Sequence, residues 1–187
     1  MERSAKTTRL VMAAMMMCLI LVTTLFFKIP IPFAHGYVHL GDAMVFLSVL
    51  VLGWRSGAVA ASVGSALADI MGGFAIWAPW TLGVKGGMAV LMGCVILAGA
   101  KKSAGEKTFG LPVNQLLGML VAGIWMVAGY FVAEGVIYGN WFAPLLGVPW
   151  NIGQCATGMV VAGLVAAALY KTPARQFFTY GVKKADD

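Results

Sequence analysis

The sequence predicts an all-α integral membrane protein with six transmembrane helices, and three observations carry that prediction. Of its 187 residues, 60% are hydrophobic and only 11% are charged, with a mean hydropathy of +0.87. A soluble domain of this size carries about a quarter charged residues. Lys and Arg fall almost wholly in clusters that flank apolar stretches. Four ionisable residues, Asp42, Asp69, Lys85 and Glu134, stand within or at the ends of those stretches. A charge at mid-bilayer costs several kcal/mol, so such residues mark a pathway or a binding site.

A span needs about 20 mostly apolar residues. The apolar stretches place helices at 10–27, 40–53, 57–74, 80–100, 111–138 and 150–170, forming a single membrane domain over 1–187. The first follows Arg3, Lys6 and Arg9 and ends in Lys28-Ile-Pro. Lacking a small-residue cleavage site, it reads as a retained span and not as a signal peptide. The second would cover only about 20 Å of a hydrocarbon core roughly 30 Å thick, so five spans plus a re-entrant segment is the alternative. Orientation follows from the basic residues. The N-terminal tail, Arg55, the 101–107 loop (Lys101, Lys102, Lys107) and the C-terminal tail (Lys171, Arg175, Lys183, Lys184) hold eleven of the thirteen Lys and Arg. Six spans put all four regions on one side, so both termini are expected in the cytoplasm of a prokaryotic cell, with the protein in the plasma membrane.

The three loops expected outside are 28–39, 72–80 and 138–150; they are rich in Trp, Pro and Gly and nearly uncharged. Trp77, Trp80, Trp141 and Trp150 form either an interfacial aromatic belt or part of a lid folded over a pocket. A net charge of +6 raises nucleic acid as a partner. The basic residues flank apolar segments and form no single stripe, which points to lipid headgroups of the bilayer instead. Cys18, Cys94 and Cys155 lie in apolar runs without metal-like or paired spacing, so neither a metal nor a cofactor is expected. With no phosphate-binding loop and no nucleophile–base pair, the chain reads as no enzyme.

The polar residues cluster toward the expected outer helix ends. Asp69 shares a helix face with Ser62 and Ser65, beside Ala60, Gly64 and Ala68 at small-x-x-x-small spacing. Lys85 needs a carboxylate or a ligand: Asp69, Glu134 or bound substrate; snorkelling to the surface is the other reading. Glu134 shares a face with Tyr130 and Tyr138, suited to hold a ring nitrogen or amino group between aromatic walls. Asn151 and Gln154 begin the last helix, where Asn151 is a cap or a pocket amide. Asp42 after Gly41 reads as a cap. An outward-facing pocket accounts for the set, and the substrate-binding candidates are His39, Asp69, Trp77, Lys85, Glu134, Tyr138, Trp141 and Asn151.

The chain resembles the substrate-binding S component of an energy-coupling factor (ECF) vitamin transporter. The resemblance spans essentially the whole length and rests on Tyr-Val-His-Leu-Gly-Asp-Ala-Met-Val-Phe-Leu (37–47), Gly-Ser-Ala-Leu-Ala-Asp-Ile-Met-Gly-Gly (64–73) and Ala-Pro-Trp-Thr-Leu-Gly-Val-Lys-Gly (78–86). These stretches are similar to the subgroup handling hydroxymethylpyrimidine, a thiamin precursor, or pyridoxine. The resemblance implies a binding subunit that captures a vitamin outside, associates with a membrane coupling subunit and two ATPases, and reorients in the bilayer to deliver it. It also implies a docking surface of Ala-x-x-x-Ala type on the first helix. Here Ala13 and Ala14 are followed four residues later by Met17 and Cys18, so only Ala14…Cys18 keeps two small side chains. Three alternatives stay open: an S component for pantothenate, one for riboflavin, or a self-sufficient proton-coupled carrier. The last is disfavoured because the two halves show no inverted repeat.

Overall fold

The computed structural model describes residues 2–30, 37–99, 107–108 and 110–180. Helix α1 (Glu2–Phe26) leads into a hairpin of β1 (Lys28–Pro30) and β2 (Tyr37–His39), paired antiparallel. Then follow α2 (Gly41–Met71), α3 (Ala78–Gly99), the two-residue strands β3 (Lys107–Thr108) and β4 (Leu111–Pro112), α4 (Val113–Tyr138), α5 (Ala143–Leu169) and a 3-10 turn (Pro173–Phe177). Among the described residues, five helices are long and apolar enough to cross a membrane.

The second and third expected helices meet at Gly53 within α2, which joins two helical halves across a kink. Gly53 itself is not helical (φ 79°, ψ 168°), a backbone region open to essentially glycine alone. The chain turns back on itself there. A Cβ at Gly57 would lie 3.0 Å from the Val49 Cα, and the Ser48 hydroxyl reaches the Gly57 carbonyl at 3.4 Å. In a straight helix those residues would be about 12 Å apart. The expected helices 40–53 and 57–74 thus correspond to the two halves of a hairpin-like pair.

The loop expected over 138–150 is also largely helical. Only residues 139–142 separate α4 from α5, which runs through Pro149. In the loop expected over 28–39, residues 31–36 (with Pro32 and His35) lie outside the described ones, as do Lys101, Lys102, Lys183 and Lys184 of the basic regions.

α2 is the most buried helix and α1 the least. α2 packs on α1, α3 and α5, and α4 packs on α3 and α5. The core centres on Phe46, Leu50, Met88, Met92, Met119 and Met126. Small residues set the closest approach: Ala60, Gly64 and Ala68 are buried, and a Cβ at Gly64 would press on the Met17 carbonyl of α1 at 2.8 Å. Without a hydrophobic drive between helices in lipid, such backbone proximity supplies the packing energy.

Hydrogen bonds tie the two ends of the chain to one end of the bundle. The Arg9 guanidinium reaches the Leu52 carbonyl, the Thr179 amide donates to Leu50 O, and the Trp54 amide donates to the Tyr180 hydroxyl. The β1–β2 hairpin, the starts of α2, α3 and α5, and the end of α4 lie at the other.

Candidate functional site

The hairpin end of the bundle gathers the polar side chains. At its floor is a fully buried ion pair between Lys85 of α3 and Asp42 of α2. Lys85 was expected to meet Asp69, Glu134 or a ligand, and Asp42 to act as a cap; each instead is the other's partner. The reason is placement: Asp42 starts α2 facing inward, and Lys85 lies two turns into α3 against the same interior. Gln154 Nε2 donates to the second Asp42 oxygen at 2.8 Å, while Gln154 Oε1 accepts the His39 amide at 2.9 Å. Lys85 also contacts the Met126 sulfur at 3.4 Å and lies 5.2 Å from the Tyr130 ring centroid. Every charge in this floor is therefore paired and hydrogen-bonded, the condition for burying it.

Nearby stands a second, less satisfied group. Glu134 is 92% buried, and Asn151 hydrogen-bonds its carboxyl. Its Oε2 has no hydrogen-bond partner. Gly147 of α5 permits the approach: a Cβ there would lie 2.6 Å from that oxygen. Around it lie aromatic walls. Trp77 meets Tyr138 edge-on at 6.0 Å between centroids and Tyr130 at 6.4 Å, and the Tyr130 hydroxyl is 3.2 Å from that of Thr81. Asp69 is buried at the end of α2 and close enough to Tyr130 to act on it electrostatically.

His39 borders this end from the hairpin. Its Nδ1 accepts the Gly41 amide at 3.0 Å. Burial is the main cause that pulls the imidazole down to about 4, with Asp42 opposing and Lys85 and Lys28 adding to the effect. His39 is thus neutral at physiological pH. A crevice of about 450 Å³ lies beside it, between the end of α1, the hairpin and Pro149, Trp150, Gly153 and Thr157 of α5.

Of the expected substrate residues, the structure brings Trp77, Glu134, Tyr138 and Asn151 together, with Asp69 close by. It puts Lys85 and His39 in the adjoining floor and rim. Trp141 departs: its ring packs on Phe131 and Gly135, a neighbouring face of α4, and is half exposed. The reason is the short 139–142 turn, which carries Trp141 round the helix end. Asn151 is no cap either, since α5 starts eight residues earlier. On α1, Ala13 faces the core with Met12 and Met16, whereas Ala14 and Cys18 are exposed. Thr81 and Gln154 were not among the expected site residues, although a polar side chain in an apolar helix was signal enough for each; Tyr130 was expected as an aromatic wall beside Glu134. Among the described residues no group of three or more His, Cys, Asp or Glu is placed to hold a metal.

Comparison with known proteins agrees with this architecture. The family described as ECF-type riboflavin transporter, S component, matches residues 4–171. An uncharacterized protein of Pyrococcus woesei is 36% identical over 150 residues, covering 80% of this chain and 93% of its own. The thiamine precursor transporter HmpT of Lactococcus lactis subsp. cremoris is 28% identical over 165 residues, covering 88% and 89%. The fold is similar to that of the solved S component of a bacterial ECF transporter (TM-score 0.66, 20% identity, 89% and 97% covered). It is also similar to the S component for biotin from an ECF-type ABC transporter (TM-score 0.71, 17% identity, 92% and 95% covered). Family match and fold together identify the chain as a multi-pass membrane protein of the S components of ECF-type transporters, which are not enzymes and work with a membrane coupling subunit and ATPases.

Proposed function

We propose that this S component captures a small aromatic heterocycle, hydroxymethylpyrimidine or pyridoxine, from outside the cell and hands it to a coupling subunit and two ATPases for ATP-driven import. The observation that carries this reading is the buried Glu134 carboxyl, with Oε2 unpartnered, Asn151 on the same group, and Trp77, Tyr130 and Tyr138 around it. A buried acceptor without a partner costs about 1–3 kcal/mol, and a ligand N–H or O–H recovers that cost. Flat aromatic walls suit a flat ring, and the small number of polar groups suits a small one. The similarity to a thiamine precursor transporter supports the same substrate class. In this reading Trp77, Glu134, Tyr138 and Asn151 contact the ligand, with Asp69, His39 and Lys85 setting the field around it. Trp141 serves as an outer-surface anchor, Ala14 and Cys18 face the coupling subunit, and both termini are cytoplasmic.

A second reading, riboflavin, is favoured by the description of the matching family. Mass spectrometry of small molecules that co-purify with the detergent-solubilised chain separates the two without prior choice of ligand. Calorimetric titration with hydroxymethylpyrimidine, pyridoxine and riboflavin then ranks them. Binding of riboflavin alone overturns the small-ring reading. Gradient-driven uptake by the lone chain in liposomes overturns the partner-dependent one.

A further inference from the structure

Two short ladders of side chains meet where α3 packs on α4. Trp77, Thr81 and Lys85 follow one another at four-residue steps, and the Thr81 amide donates to Trp77 O at 2.9 Å. On α4, Tyr130, Glu134 and Tyr138 share a face by the same spacing. Three contacts join the ladders. Trp77 meets the Tyr130 and Tyr138 rings at 6.4 and 6.0 Å between centroids. The Lys85 ammonium, its charge balanced by Asp42, lies 5.2 Å from the Tyr130 ring centroid. The Thr81 and Tyr130 hydroxyls are 3.2 Å apart. Thr81 is buried, whereas the rings of Trp77, Tyr130 and Tyr138 are only partly covered. Contacts with Trp77 and Lys85 hold the Tyr130 ring, at a level about 6 Å along α4 from Glu134.

This hydroxyl pair is not saturated. Each hydroxyl can donate one hydrogen and accept two, so the bond between them uses one hydrogen and leaves the other. Among the described residues, neither hydroxyl has a hydrogen-bond partner besides the other. A conjugated amine only donates, so it would meet a lone pair and leave the spare hydrogen idle. A ring nitrogen without hydrogen only accepts. An alcohol does both: it takes the spare hydrogen and returns its own to a remaining lone pair.

We infer that the Thr81–Tyr130 hydroxyl pair is a second polar subsite of the proposed pocket, one that reads a hydroxymethyl group on the ligand ring. The inference rests on the small-ring reading of that pocket and adds which substituent the protein selects. Glu134, an acceptor with an unpartnered oxygen, takes a donor on the ring itself. Thr81 and Tyr130 take the alcohol and are specificity-determining residues. A ring with methyl in place of hydroxymethyl shuts the pair off from water and leaves its spare hydrogen unmet. A site built to bond a substrate hydroxyl discriminates strongly against the analogue that lacks it.

Calorimetric titration of the detergent-solubilised full chain with two ligands tests the subsite: hydroxymethylpyrimidine, and the same ring with methyl replacing hydroxymethyl. The wild type should bind the methyl ring at least about tenfold more weakly. Tyr130→Phe and Thr81→Val each remove one hydroxyl with little change in shape. Each should weaken hydroxymethylpyrimidine binding about tenfold and binding of the methyl ring less than about twofold. Thr81→Ser keeps the hydroxyl and should keep the preference. Equal losses for both ligands, or none, in a folded variant overturn the subsite, because a merely structural role does not distinguish the two rings. Should the variants not fold, the wild type decides: equal affinity for both rings overturns the subsite, and the tenfold preference supports it. If pyridoxine binds in place of hydroxymethylpyrimidine, its deoxy analogues, each lacking one hydroxymethyl oxygen, replace the methyl ring. A wild type that binds neither small ring overturns the small-ring reading and the subsite together. Hydroxymethylpyrimidine binding that is indifferent to the hydroxymethyl oxygen overturns the subsite alone.

Discussion

Lys85 and Asp42 are both fully buried, and neither is tolerable there without the other. Breaking a buried pair by removing one partner costs about 3–5 kcal/mol, whereas replacing both with apolar groups of similar size is often neutral. Lys85→Met alone should therefore lower thermal stability in detergent sharply, and Lys85→Met with Asp42→Leu should recover most of it. A double variant as unstable as the single one would mean that the pair matters for more than mutual compensation. His39 gives a pH test with a definite sign. Its folded value of about 4 lies below the ordinary 6.5, so the unfolded chain binds more protons between those values. Stability from this residue is full above about pH 6.5 and falls as pH drops toward 4. His39→Gln should flatten that part of the acid-unfolding curve, and an unchanged curve would show that other groups govern it. Glu134→Gln or Asn151→Ala should weaken vitamin binding by about 1–3 kcal/mol with the fold intact, as read by titration. The sequence made these ionisable residues conspicuous because a charge inside an apolar stretch needs a reason. It left their pairing open: Asp42 and Lys85 are 43 positions apart, and only the packing of α2 on α3 decides that they meet.

At the level of elements, the break at Gly53 governs how α2 fills the centre. A break there leaves the carbonyls of Leu50, Val51 and Leu52 without helical donors. The chain segment after α5 supplies replacements. The Thr179 amide donates to Leu50 O (3.0 Å) and Val51 O (3.2 Å), and its hydroxyl donates to Val51 O (2.8 Å). Gln115 of α4 holds this strap by donating to Tyr180 O at 2.8 Å and accepting the Tyr170 hydroxyl at 3.1 Å. Gly53→Ala should cost about 1–3 kcal/mol from the disfavoured backbone region, and a Cβ would also crowd the Thr179 methyl at 3.1 Å. Truncation after Phe178 should destabilise α2 by a similar route without touching the ligand end, so thermal unfolding should fall while ligand affinity holds. The apolar runs of α1, α3 and α4 were legible in sequence to within a few residues at most ends because bilayer thickness sets their length. The turn between 40–53 and 57–74 was legible too and falls at the Gly53 break, whereas the early start of α5 was not. Pro149 and the Trp-rich composition of 138–150 look like loop, yet Pro144 suits the first turn of a helix. Pro149 lies within the second turn, where neighbouring packing in the bundle tolerates it.

Taken whole, the molecule is asymmetric around its ring of helices. α1 packs mainly on α2 and leaves Leu10, Val11, Ala14, Met15, Cys18, Leu19 and Val22 uncovered. α5 leaves a comparable stripe at Ile152, Val160 and Leu164. Both stripes are apolar enough for lipid, so exposure alone does not choose between them as the surface for the coupling subunit. Side-chain size does not choose either, since α5 also exposes Gly153, Ala156 and Thr157; the proposed docking face is the one on α1 that the family resemblance implies. Ala14 and Cys18, one turn apart on the outer face of α1, allow a partner helix to approach closely, and close approach is what drives association in lipid. Ala13 is excluded from that role because it faces the core. Ala14→Leu should therefore leave ligand affinity unchanged, since the residue lies far from the Glu134 end, and should lower ATP-driven uptake in the reconstituted complex at least tenfold. Leu164→Phe on the α5 stripe should do neither. Equal loss of uptake from both substitutions would point to a general disturbance of the bilayer-facing surface, and loss from Leu164→Phe alone would move the docking face to α5.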